Sequence, residues 1–218
     1  MFTGFRPEAS DFFWELCFNN DRAWFYDHKD QFDALINEPL KELAAETNKI
    51  MASRFPEMHP VSHVSRIWRD ARRLFGRGPL KESMWFSMRG GTERAFPASF
   101  YFEIKPAVFG YGMGFWCASA EQGDRFRKSV DADPVRFVRL AEETALQSRF
   151  SLEGPLYKKP KGSYGEAADA WYNRKWASLT YEEDFGGDVL SPELPQILSD
   201  AFSPLMPMYD YLNFAIGE

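Results

Sequence analysis

Residues 99–116 read S-F-Y-F-E-I-K-P-A-V-F-G-Y-G-M-G-F-W, and this stretch decides the class of fold. From Ser99 to Lys105 the side chains alternate: Phe100, Phe102 and Ile104 fall on one face, and Tyr101, Glu103 and Lys105 on the other. A period of two marks a strand with one face packed inward. Pro106-Ala107 supplies a short turn, and Val108 to Trp116 returns as a second strand. Gly110, Gly112 and Gly114 repeat on one face of that strand, leaving room for a neighbouring backbone or a ligand.

Upstream, the first quarter reads as helical. Pro7 suits a first helical turn, and Ala9, Phe12, Phe13, Leu16 and Cys17 recur at the spacing of one helical face as far as Asn19-Asn20. Asn20 or Asp21 caps a second helix carrying Trp24, Phe25, His28, Phe32, Leu35 and Ile36. Pro39 interrupts it and begins a third, with Leu40, Leu43, Ala44, Thr47, Ile50 and Met51. From Val64 onward the composition turns to alternating strand-like segments punctuated by Gly76, Gly78, Gly90 and Gly91.

Downstream of the hairpin, Ser119 and Gln122 form a capping pattern for a helix over 121–130, and Asp133-Pro134 opens another with Phe137, Leu140, Ala141 and Thr144 inward. Residues 154–165, G-P-L-Y-K-K-P-K-G-S-Y-G, have no period and read as a long loop. A short helix over 166–173, a strand over 176–181 and a helix from Ser191-Pro192 follow, with Pro204 and Pro207 expected to break that helix before an aromatic tail. The order is N-terminal helices, a central mostly antiparallel sheet and further helices toward the C-terminus. That is an α+β fold, read as one domain over 1–218.

Composition narrows the function classes. The chain has 26 basic and 32 acidic side chains, a net charge of −6, so its summed field disfavours nucleic acid. No run of apolar residues is long enough to span a membrane, and the N-terminus lacks the basic start and apolar middle of a signal peptide. Cys17 and Cys117 sit among apolar neighbours and read as buried thiols of a cytoplasmic protein. His59 and His63 are separated by Pro60, which spoils a helical metal pair, and no metal or cofactor is expected.

Charge concentrates in S-R-I-W-R-D-A-R-R-L-F-G-R-G-P-L-K-E-S, residues 65–83, where Arg66, Arg69, Arg72, Arg73, Arg77 and Lys81 surround Asp70. Guanidinium forks bind carboxylate and phosphate, and a glycine-containing loop adds backbone donors. Read as a strand, the segment puts Arg66, Trp68 and Asp70 on one face and Ile67 and Arg69 on the other, so convergence requires the loop. The bland alternative is an arginine paired with Asp70 and a solvated cluster around it. Asn20, Asp21 and Arg22, in the polar turn N-N-D-R-x-W-F, form a second candidate, against the capping role expected of such residues. Lys158, Lys159 and Lys161 read as a solvated loop, with contact to an anion alongside the arginines as the lesser reading. No nucleophile elbow, P-loop or usefully spaced carboxylate pair is present, so no reaction is assigned.

F-x-G-F near the start, N-N-D-R-x-W-F at 19–25, R-I-W-R-D-A-R at 66–72 and P-K-G at 160–162, with the glycine-rich aromatic hairpin, resemble the family called domain of unknown function 2461. The resemblance implies a domain and brings no established reaction. The family's R-D-x-R block usually continues with Phe, an Asp-Lys pair and Pro-Tyr-Lys; here Arg73, Gly76-Arg77 and Leu80 stand instead, while Pro79 and Lys81 remain. A site that used the missing acid or tyrosine hydroxyl would be altered in this chain. Two functional expectations follow. One is a domain that binds a small anionic ligand, phosphorylated ones included, through Arg66, Arg69, Arg72 and Lys81 with Asp70 orienting a guanidinium. The other is a noncatalytic protein-interaction domain that uses an exposed aromatic patch.

Overall fold

The computed structural model describes residues 1–91, 97–116 and 119–217. Helices α1 (Glu8–Phe18), α2 (Arg22–Asp27), α3 (Lys29–Phe32) and α4 (Glu38–Arg54) come first, followed by strands β1 (Pro60–Val64), β2 (Met84–Gly90), β3 (Ala98–Ile104) and β4 (Val108–Phe115). Then come α5 (Ala120–Ala132), α6 (Pro134–Ala145), β5 (Ser151–Glu153), α7 (Glu166–Tyr172), β6 (Ala177–Asp184), α8 (Leu194–Phe202) and α9 (Met206–Ile216). The strands form one antiparallel sheet in the order β1-β2-β3-β4-β6-β5, which makes the fold α+β. The 99–116 hairpin is its centre, and Phe100, Phe102 and Ile104 are all fully buried, as their alternation predicts.

Several local readings need correction. The second predicted helix divides at His28 into α2 and α3, and Asp33–Asn37 winds as a π turn that runs into α4. Pro39 lies in the first turn of α4, within one residue of the expected start of the third helix, although the π turn leads into it without a gap. Pro207 likewise lies in the first turn of α9, and the aromatic tail is that helix. The arginine-rich segment is not a strand: after β1 the chain is irregular apart from a short 3₁₀ turn at Ala71–Arg73. At Gly114 the glycine face of β4 leaves no room for a ligand, because a Cβ there would meet Ser178 Oγ and the Trp116 ring at 2.9 Å.

The chain forms two compact units. The first comprises Met1–Met88, Tyr101–Tyr111 and Glu182–Ser199. Its core is a train of rings in which Phe102 meets Phe5 at 6.0 Å, Phe86 at 5.9 Å and Phe109 at 6.2 Å, joined by a helical cluster of Phe12, Phe25 and Phe32. The second comprises Arg89–Phe100, Gly112–Tyr181 and Asp200–Glu218. Phe115, Phe126, Phe137 and Tyr211 follow one another there at centroid distances of 5.2–5.4 Å, an arrangement that aromatic quadrupoles favour. In this unit the 154–165 loop is firmly tied: Asn173 accepts from the Lys161 N–H and donates to the Gly162 carbonyl, and Asp169 accepts from Ser163 and the Tyr164 N–H.

Tyr209 gives the second unit a measurable pH dependence. Its ring lies 4.9 Å from Phe100, its hydroxyl oxygen accepts from the Gly90 N–H at 2.8 Å, and burial pushes its pKa up to about 12. An unfolded tyrosine ionises near pH 10. Between those values the folded chain holds a proton that the unfolded chain has lost, so stability is intact below pH 10 and falls as pH rises toward 12. Urea denaturation at pH 8, 10 and 11.5 should show a fall, of which about 2 kcal/mol belongs to Tyr209 and is absent from Tyr209→Phe.

Candidate functional site

The arginine-rich loop between β1 and β2 folds back on itself. The Arg69 N–H donates to the Pro79 carbonyl and the Lys81 N–H to the Ile67 carbonyl, each at 2.8 Å, and Trp68 pairs with Leu80 in an isolated antiparallel bridge. The turn between these limbs includes Phe75 and Gly76 at φ 47° and 78°. Asp70 starts it by accepting from the Arg72 backbone N–H at 3.0 Å, and its carboxylate also takes both Nε and Nη2 of the Arg72 guanidinium, at 3.0 and 2.7 Å.

Asn20 holds this loop from outside. Its side-chain amide donates to the Leu80 carbonyl at 3.1 Å and accepts from the Leu80 N–H at 2.9 Å. Gly78 makes the approach possible, since a Cβ there would lie 2.3 Å from Asn20 Cγ. Beside the clamp, Asp21 caps α2 by accepting from the Trp24 N–H at 2.9 Å, and the Arg22 guanidinium lies 5.9 Å above the Trp68 ring, whose edge meets Phe25. The polar turn is thus the dock for the arginine-rich loop. Asn20→Ala should lower stability by about 2–3 kcal/mol in urea denaturation, because it removes two hydrogen bonds to a partly buried peptide.

The loop's return limb meets α1 and the turn of the β3–β4 hairpin around a cleft of about 450 Å³ within the first unit. Arg69, Lys81, Glu82 and Ser83 form one side; Trp14 and Cys17 come from α1, and Lys105 and Pro106 from the hairpin. Arg69 is anchored by its Nε donating to the Leu80 carbonyl at 2.8 Å, and its Nη2 stands 3.5 Å from Glu82. Lys81 donates from Nζ to the Arg66 carbonyl and lies over the Trp85 ring. Burial, then the charges of Arg66 and Arg69, pull the Lys81 pKa below its ordinary value. Lys105 differs: burial lowers it, but the hydrogen bond to Glu182 at 2.9 Å and the neighbouring Glu103 outweigh that and leave it raised. The Cys17 thiol is pushed up by burial and by Glu82; it is partly exposed and lines the cleft, unlike the buried thiol expected from its neighbours in sequence.

Of the residues singled out in the sequence, Arg69 and Lys81 come together in the cleft and Asn20 fixes the limb that carries them. Arg66 contributes its carbonyl and its charge to Lys81 while its side chain is exposed. Arg72, 88% exposed, is spoken for by Asp70; Asp21 and Arg22 serve local structure. Trp14, Glu82 and Lys105 were not foreseen. Trp14 falls off the apolar stripe of α1, a signal that was present, whereas Lys105 on the outward face of a strand reads as an ordinary solvated lysine. Cys117 lies outside the described residues.

A family model described as conserved hypothetical protein (DUF2461) matches residues 8–211. The chain belongs to that family. No curated protein matches it. Leu80, which precedes the loop lysine, is fully buried and its backbone is the clamp point, so its side chain faces the core and not the cleft. Among the described residues, no group of three or more His, Cys, Asp or Glu is placed to hold a metal, and no helix is long and apolar enough to cross a membrane.

Proposed function

We propose that this chain is a cytoplasmic protein that binds a small organic anion, phosphorylated ones included, in the cleft at Arg69 and Lys81. The observation that carries the reading is that these two cations, from opposite limbs of the arginine-rich loop, line one concavity. Its volume, about 450 Å³, falls in the range of small-molecule sites. Lys81 is held near two guanidinium charges, and a bound anion offsets that repulsion. Arg69 is pre-set by Leu80, so little side-chain freedom is lost on binding.

A thermal-shift panel of phosphate, sugar phosphates, nucleotides and dicarboxylates tests this. A ligand at 100 times its dissociation constant stabilises by about 2.7 kcal/mol, readily seen in a chain of this size. At least one class should shift the wild type and fail with Lys81→Ala; a panel in which nothing shifts the well-folded wild type overturns the reading. Affinity should also decline with pH. An anion needs the protonated ammonium, which is lost as pH rises through a Lys81 pKa lying below the ordinary lysine value, so dissociation constants measured from pH 7 to 10 should rise.

One observation favours a second reading, a protein-interaction surface: Trp14 and Phe18 stand one turn apart on α1 with 47% and 82% of their surface exposed. Under that reading Phe18→Ser abolishes partner capture and leaves the anion panel unchanged.

A further inference from the structure

The cleft holds a negative group as well as positive ones. Glu82 projects into it with half of its side chain exposed, and its Oε1 stands 3.5 Å from the Arg69 guanidinium. An anion that approaches Arg69 therefore comes close to a carboxylate, which weakens without cancelling the attraction of the two cations for a simple phosphate or dicarboxylate. A ligand that carries an ammonium beside its anionic group turns this repulsion into a second attraction. Lys105 does not change the balance, because Glu182 and Glu103 already neutralise it. At the α1 side the half-exposed Trp14 ring offers an apolar face.

Building on the proposed anion site, we infer that its ligand is a compact zwitterion, an apolar α-amino acid. Its carboxylate sits at Arg69 and Lys81, its ammonium at Glu82 and its side chain against Trp14. In such a molecule a single carbon separates the two charges, which matches a site whose cation and acid are themselves in contact.

Calorimetric titration with three probes that share one apolar group tests it: L-phenylalanine, 3-phenylpropionate, which lacks the amine, and 2-phenylethylamine, which lacks the carboxylate. Inorganic phosphate is titrated alongside. Phenylalanine should bind about tenfold or more tighter than either analogue. Glu82→Gln should bring phenylalanine down to the level of 3-phenylpropionate, and Arg69→Gln should weaken both, with circular dichroism confirming that each variant is folded. Equal binding of phenylalanine and 3-phenylpropionate to the wild type overturns the zwitterion and leaves the anion site standing. Binding of phosphate without either phenyl acid overturns the amino-acid class alone. Failure of all four probes, together with an empty anion panel, overturns both inferences.

Discussion

Arg69→Ala should weaken anion binding by about thirtyfold, whereas Arg72→Ala should change it by less than about twofold. By sequence the two arginines are equivalent members of one basic block. Arg69 is 15% exposed, tied to the Leu80 carbonyl and turned into the cleft, so its charge acts where water is partly excluded. Arg72 is 88% exposed and forms a fork with Asp70, and a solvated charge already neutralised by its neighbour adds little to a site it does not line. Hydrogen bonds from a charged donor contribute about 1.5–3 kcal/mol, which sets the size of the Arg69 effect. Because Arg69 also supports the loop, Arg69→Gln is the companion variant: it keeps a donor for Leu80 and loses the charge. Titration of both variants with the anion selected by the panel separates the two roles. Equal losses from Arg69→Ala and Arg72→Ala would contradict the geometry.

Gly4→Ala should cost about 4 kcal/mol, lowering the melting temperature by about 8–15 °C. Gly4 sits at φ 97° between Phe2 and Phe5, each 2% exposed, and the Phe5 N–H donates to the Val189 carbonyl at 3.0 Å. A Cβ at this position would lie 2.1 Å from the Leu190 carbonyl oxygen and 2.7 Å from its carbon. Those are backbone atoms and cannot rotate aside. Separating the two segments of the contact means pulling two buried rings from the core of the first unit, each with its own burial free energy. Gly76→Ala is the control: its φ is 78°, with nothing within 4 Å of the added carbon, so it carries only the conformational term of about 1 kcal/mol. Similar melting temperatures for the two variants would show that the close approach at Gly4 is not what fixes the N-terminus.

This glycine shows what was legible in the sequence and what was not. F-x-G-F is visible as a pattern, but the atom that requires the glycine belongs to Leu190, far along the chain. The hairpin was readable because alternation is local: Phe100, Phe102 and Ile104 follow one another at the period of the sheet and are buried together. The arginine-rich loop was misread as strand because Arg66, Trp68 and Asp70 also alternate. What organises it is the amide of Asn20, sixty residues away in sequence, gripping Leu80. The same local view could not show which arginine Asp70 takes, and it undercounted the cleft by leaving Lys105 on the outward face of a strand and giving Glu82 no part. Pro39 reads as the start of a helix and is one, and α8 stops at Phe202 ahead of Pro204 and Pro207 as expected; what the prolines do not reveal is that Pro207 also opens α9, because a proline that ends one helix can begin the next.

The most direct test of the central claim is the location of a bound anion. Selenate, a phosphate-like ion with a strong anomalous signal, can be soaked into crystals of the wild-type chain and its positions ranked by peak height. The leading peak should lie in the cleft, within hydrogen-bonding distance of Arg69 and Lys81, and should vanish from crystals of Arg69→Gln. A leading peak at Arg72 or along Lys158, Lys159 and Lys161, with nothing between Arg69 and Lys81, would contradict it.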